Sequence, residues 1–448
     1  MTKLSKIANM KAPKKGSVIE PQETLSTSFS KPSSAPSTVM LFDLEHTGHH
    51  ATYIRYLIQY WGENKLTGNL SIVVSPTFIE KYPDVVELAK CYADSTINII
   101  SISQEETQVL IKNRTAVSRA LRRIKEWRLL CRYALSLKAS RCIILYLDTF
   151  ELPFLLGLKA PCSISGIYFR PTFHYLQFQN YRPSRRDRVG HWREKFFVKK
   201  VLTHPQFETL FCLDPIVSKT IKQQYPNANA VPIADPVEMP DVKHLDPDSL
   251  RRKHGISTER TIVLLFGAIT SRKGTYKLLE AIKKMSPEDC ERLCILIVGA
   301  INDAEKQNLV SQIETLCRQQ PVQIVTQFEF VSETDVQTYF QLADVVSALY
   351  QHHAGMSGIL LLAAAAGKPV LSSDYGLMGE LARRYQLGVI LDSTCVDQIA
   401  RELSQHVLTK QIDYSPEKMR LFAEENSAIR FAQTVFQQVE RQVSTKVH

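Results

Sequence analysis

The stretch HHAGMSGILLLAAAAGKPVLSSDYGLMGEL, residues 352–381, decides how this chain folds. An apolar run ends near Tyr350, a loop with Gly355, Ser357 and Gly358 follows, and an Ala/Leu segment of helical length leads to "GKPV" and a second buried run. Strand, glycine loop, helix, strand is the repeating unit of a parallel sheet. Free N–H groups at such a helix start, at the positive end of its dipole, make a phosphate seat. Glycines let the backbone approach a ligand closely. A plain buried connection would need none of them.

A second segment, LLFGAITSRKGTYKLLEAI (264–282), repeats the theme. A buried strand ends in Phe266-Gly267, and Arg272, Lys273 and Gly274 open a helix. Two cations beside a helix N-terminus are unfavourable without an anion. They suit a diphosphate, to which each adds a charge-assisted hydrogen bond.

Outward from these two segments the alternation continues. Strands are expected at 38–44, 70–75, 96–101, 142–147, 163–168 and 208–212, then at 261–267, 292–298, 322–328, 344–349, 369–372 and 387–391. Helical periodicity fills the gaps, including 49–61, 78–90 and 105–138, and a last helix is expected at 417–438. In the helix near 105–138, Val117, Leu121, Ile124, Cys131 and Leu135 form one stripe at helical spacing, with Arg122, Arg123, Lys125, Arg128 and Arg132 largely off it. Five prolines in residues 225–248 read as a linker. The fold class is therefore α/β, with two Rossmann-like doubly wound domains facing a cleft. The expected organisation is a disordered basic tail (1–37), a first domain (38–225), a linker (226–248), a second domain (249–415) and a carboxyl-terminal helix (416–448). The tail holds eight Ser, four Pro and six Lys, too polar to bury a core.

Bulk composition narrows the functional classes. The 448 residues are 44% hydrophobic and 22% charged, ordinary for a globular protein. Apolar runs such as IVLLFGAI and GILLLAAAAG are too short to cross a bilayer. The start lacks the apolar region of a secretory signal. Nine scattered cysteines show no CxxC pair or zinc spacing, which points to reduced thiols and a cytoplasmic location. A net charge of +10 favours an anionic partner. No zinc-finger, RNA-recognition or basic-zipper pattern is visible, so specific nucleic-acid reading is not expected.

The two glycine-rich segments resemble the carboxyl-terminal half of the GT-B nucleotide-sugar glycosyltransferases of group 1, also called family four. That family's pattern, roughly E-G-F-G-x-x-x-x-E-A-x-A-x-G-x-P-V, aligns without gaps on AGMSGILLLAAAAGKPV, Ala354 to Val370. RKG at 272–274 matches the family's basic turn, and FEFVSETDVQTYFQLADVVSALY (328–350) its preceding strand–helix–strand. The resemblance spans most of residues 260–391. It implies a donor diphosphate seat made of Gly267, Arg272, Lys273, Ser357, Gly358 and Ile359. There are departures: the family's two glutamates fall on Ala354 and Leu362, and its first diphosphate-binding Arg falls on Gly267. His352, His353 and Glu380 are candidates to take over the lost acidic work. Otherwise donor catalysis is gone.

In the first half, LEHTGHHATYIRYL (44–57) gathers His46, His49 and His50 around Gly48. The spacing offers no convincing zinc ligand set. Gly48 reads as a turn, with His49 and His50 beside the donor or acceptor sugar; ordinary loop histidines are the plain alternative. From Arg170 to Lys200, nine Lys/Arg are interleaved with Phe173, Tyr175, Phe178, Tyr181, Trp192 and Phe196. Aromatics stack on sugars, and cations with aromatics can sit on anionic headgroups. His174, just past a strand end, is the leading candidate for a general base or donor contact.

The expected function is transfer of a sugar from a nucleoside-diphosphate sugar to a glycan or lipid-linked acceptor. No metal and no cofactor beyond that co-substrate are expected. An anionic membrane surface is a candidate further contact. A non-catalytic GT-B protein that binds nucleotide sugar or glycan is the first alternative, and a nucleotide-sugar epimerase the second.

Overall fold

The computed structural model describes residues 37–92, 96–110, 115–178, 180–238, 245–329, 331 and 333–445. The tail up to Pro36, and residues 239–244 of the expected linker, lie outside the described residues. Two parallel sheets dominate. The first takes β1 (Thr38–Phe42), β2 (Asn69–Val74), β3 (Ile97–Ser101), β4 (Ala139–Ile144), β5 (Ser163–Tyr168), β6 (Phe207–Cys212) and β7 (Ala230–Pro232), in the order β3-β2-β1-β4-β5-β6-β7. The second takes β8 (Thr261–Phe266), β9 (Leu293–Val298), β10 (Gln323–Gln327), β11 (Val345–Ala348), β12 (Val370–Ser373) and β13 (Gly388–Leu391), in the order β10-β9-β8-β11-β12-β13. This is the GT-B arrangement.

Both sheets are covered on two faces, so their central strands are largely apolar. In β1, Val39 and Leu41 join one core while Met40 and Phe42 join the opposite one. In β8, Ile262 and Leu264 face one way, and Val263 and Leu265 the other. That two-residue period is the reach of alternating Cβ atoms. Each strand order reverses once, at β1/β4 and at β8/β11, and ligands of open α/β sheets bind beyond the strand ends at such points.

Three expectations are corrected. Strand β7 falls inside the stretch read as linker, where Leu210 to Cys212 pair with Ala230 to Pro232. The helix expected at 78–90 is two, Pro76–Lys81 and Pro83–Cys91, because Pro83 donates no hydrogen bond and fits a first turn. The last helix is also two, Pro416–Glu425 and Ala428–Thr445. The second of these returns to the first lobe, where Phe431, Val435 and Phe436 share a core with Tyr53 and Trp61. Each buried Phe there contributes about 1.5–3 kcal/mol. In the helix Ala116–Ser136 the sheet-facing residues are Trp127, Leu130 and Ala134, while Leu121 and Leu135 of the apolar stripe are exposed. Among the described residues, no helix is long and apolar enough to cross a membrane.

Candidate active site

The switch point of the second sheet builds one wall of the cleft. Beyond β8, Gly267 takes φ +95°, and Gly274 takes φ +77° where a Cβ would lie 2.1 Å from the Leu349 carbonyl oxygen. Only glycine lets the turn Ser271–Lys273 pack this closely on the end of β11. That packing drives Lys273 inward, to 8% exposure. Its Nζ donates to the Phe266 carbonyl at 2.9 Å and to the Tyr350 hydroxyl at 2.5 Å, and sits 4.6 Å from the Tyr350 ring centroid. Tyr350 in turn bonds Ser357 Oγ at 2.7 Å, at the N-cap of the helix Gly358–Ala365. Ser357 makes no side-chain cap bond to that helix. The chain Lys273–Tyr350–Ser357 thus ties the basic turn to the free start of the Ala/Leu helix. Among the described residues no carboxylate pairs with Lys273 or Arg272.

A cleft of about 610 Å³ lies between the lobes. On the second lobe Arg272, Tyr350, His353, Gly355, Ser357 and Gly358 line it. Arg272 bonds His353 Nδ1 at 3.3 Å, and burial, then the Arg272 and Lys273 charges, hold that imidazole below its ordinary pKa. Ala354 also lines the cleft, in the place of the family's first glutamate. Leu362 packs against the apolar core instead. Lys273 itself lies behind the lining, under Gly267, where any Cβ would stand 3.0 Å from Nζ.

On the first lobe His49, Tyr53, Phe169, Arg170, Thr172, Tyr175, Asp214 and Asp235 line the same cleft. Tyr53 donates to Asp235 at 2.6 Å, and burial raises the Asp235 pKa. Asp148 accepts the N–H groups of Phe169 and Arg170 at 2.9 and 3.0 Å and so fixes that turn; burial lifts its pKa to about 6. Glu194 accepts from the Thr172 N–H at 2.8 Å and pins the next residues.

Gly48 takes φ +73° with open space around it, as a turn requires. His49 lines the cleft. His50 does not: its Nδ1 bonds buried Asp43 at 2.6 Å, between the rings of Phe169 and Tyr146. His352, at φ +50°, lines a neighbouring recess with Asp374, Tyr375 and Asp392. Ile359 is buried in the helix start. Among the described residues no three His, Cys, Asp or Glu side chains converge as a metal would need.

Two candidates for chemistry lose their place. The His174 side chain is fully buried, bonds Asp214 at 2.7 Å and is walled by Phe173, Tyr175 and Phe178. It cannot reach a substrate; it positions Asp214, which also caps the helix Pro215–Gln224. Glu380 pairs with Arg383 at 3.7 Å and is not among the cleft residues. Asp148, Asp214 and Asp235 were missed because each gains its meaning from a partner distant in sequence. Only their positions after strand ends could have signalled them.

Residues 246–425 match the family model "Glycosyl transferases group 1". That match lies on the carboxyl-terminal lobe. The provisionally named glycosyltransferase YtcC of Bacillus subtilis (strain 168) is 23% identical over 144 residues, which cover 32% of this chain and 35% of that protein. The chain therefore matches about a third of this relative's length. The sucrose-phosphate synthase structure of Thermosynechococcus elongatus has a TM-score of 0.62 at 12% identity, covering 91% of this chain and 100% of its own. The structure of HepE from Anabaena with UDP-glucose has a TM-score of 0.57 at 12% identity, covering 91% and 99%. At such identities these likenesses establish the shared GT-B fold.

Proposed function

We propose that the protein is a glycosyltransferase that moves a sugar from a nucleoside-diphosphate sugar to a glycan or lipid-linked acceptor without a divalent metal. The observation that carries this reading is a buried, carboxylate-free cation, Lys273, tied through Tyr350 to the open start of a glycine-led helix. Burying a cation without a counter-anion is costly. A diphosphate lying along Arg272 and the N–H groups of Gly358 and Ile359 would supply the missing charge. As the bond to the anomeric carbon breaks, charge builds on the leaving diphosphate, and these fixed donors stabilise it. Across the cleft, His49 and Asp235 are the groups placed to handle an acceptor proton. That HepE was solved with UDP-glucose supports a nucleotide sugar as co-substrate here.

Incubation of the full chain with UDP-, GDP- and ADP-sugars in EDTA, with nucleoside diphosphate release measured, tests the reading. Release that is abolished by EDTA and restored by a divalent metal contradicts the metal-free part. Binding without release supports a second reading, a non-catalytic nucleotide-sugar binder, which Ala354 and Leu362 favour because neither can contact a sugar or ribose as a glutamate does.

A further inference from the structure

The helix Ala116–Ser136 has two apolar faces. Its inner face packs on the first sheet. Its outer face keeps Leu121 and Leu135 at 55% and 66% exposure. Leu135, with Ile124, Cys131, Leu156 and Leu158, lines an open groove of about 930 Å³, rimmed by Arg128, Arg132 and Lys159. The helix Arg185–Leu202 repeats the arrangement. Phe197, Val198 and Val201 face inward, while Val189, Trp192 and Phe196 are 67%, 71% and 47% exposed. Spacings of three and four residues set these last three on one stripe. Trp192 and Phe196 stack at 6.5 Å, and Lys200 lies 5.7 Å from the Phe196 ring centroid.

Both helices cover the same face of the first sheet, with the short helix Glu151–Leu155 packed against each. Ten large apolar side chains are exposed among the described residues, and six of them, Leu121, Leu135, Leu156, Val189, Trp192 and Phe196, project from this one layer. The charge on the layer is uneven. Arg122 and Arg123 bond buried Glu126, and Arg132 pairs with Glu106. On the second helix the acids are engaged elsewhere: Asp187 caps the helix with Ser184, and Glu194 turns inward to Tyr168 and Thr172. Arg185, Arg186, Arg188, Lys195 and Lys199 stand exposed.

We propose that this layer docks the first lobe on a membrane surface bearing anionic headgroups. Cations at headgroup level and a Trp/Phe/Leu layer below it match the interfacial zone, where amphipathic rings and basic side chains combine. A nucleic acid would engage the cations and leave six apolar side chains in water. Glu194 links the docking helix to Thr172 at the cleft, so a docked lobe holds the cleft beside the leaflet. The proposal rests on the glycosyltransferase reading only for its purpose; vesicle binding is read without donor or acceptor.

Trp61 and Trp127 are each 3% exposed, so Trp192 is the surface reporter among the three tryptophans. The full chain is mixed with phosphatidylcholine vesicles, with or without phosphatidylglycerol, and followed by sedimentation and Trp emission. Sedimentation only with the anionic lipid, a blue shift, and release by salt are expected. The W192S/F196S variant should lose at least tenfold in binding, and R185S/R186S/R188S about fivefold per cation removed, with unchanged melting temperatures. Equal binding to neutral vesicles, protein left in the supernatant at low salt, or full binding by both variants overturns the proposal. So does an emission shift with soluble glycerol phosphate alone, or retention on RNA without vesicle binding.

Discussion

Replacing Lys273 by Met keeps an unbranched side chain against the Tyr350 ring and removes the charge. An ammonium has three donors, and the Phe266 carbonyl and Tyr350 hydroxyl take two of them. Behind the cleft lining, Lys273 acts on a ligand through its charge. The loss on substitution is then on the scale of one charged interaction, ~1.5–3 kcal/mol, or about 10–150-fold in Kd. A unit charge ~4 Å away at an effective dielectric of ~20 gives about 4 kcal/mol. Desolvation has already removed part of that, so the lower figure is the better guide. Stability should move far less. The variant leaves one carbonyl without its donor, costing about 1 kcal/mol, but no longer buries an uncompensated cation. The two changes oppose each other, and K273M should unfold within about 1 kcal/mol of the parent. Titration calorimetry with UDP, GDP and ADP in EDTA, beside denaturant unfolding, reads both. A folded K273M that binds the preferred nucleoside diphosphate as tightly as the parent refutes the anion seat.

Two further predictions separate structure from chemistry. His174→Ala should cost about 3–5 kcal/mol in unfolding free energy, because it strands buried Asp214; denaturant melts check this, and the pH profile of any remaining turnover should not shift. The Asp148 pKa is raised by burial from 3.8 to about 6. The native state therefore holds the extra proton between about pH 4 and 6, and the stability this group contributes is present below pH 4 and lost as pH rises through 6. The full span is ~3 kcal/mol at most. Asp148→Asn should flatten that part of the stability–pH curve relative to the parent, and an unchanged curve contradicts the assignment.

Much of the fold was legible because buried parallel strands leave a local signature. Twelve expected strands lie within a few residues of those observed, and β7 escaped because only three residues, one of them Pro232, pair there. The glycine turns at Gly48, Gly267 and Gly274 were legible too, since a positive φ is a property of one residue and its neighbours. The cations at 272 and 273 drew attention because a helix start repels them, and the structure places Arg272 on the cleft and Lys273 behind it. What the sequence could not decide was direction and partnership. Periodicity grouped Leu121, Ile124, Cys131 and Leu135 on one stripe, but only packing on the sheet showed that Leu121 and Leu135 face out while Cys131 leans on the core. His174 looked like a free base until folding joined it to Asp214, forty positions along the chain. Tyr53 and Asp235 meet across 182 positions. Spacing along the chain fixes which residues share a face of their own element. Which face is buried, and which distant carboxylate a side chain meets, depends on how the sheets and helices close on one another, and that information exists only in three dimensions.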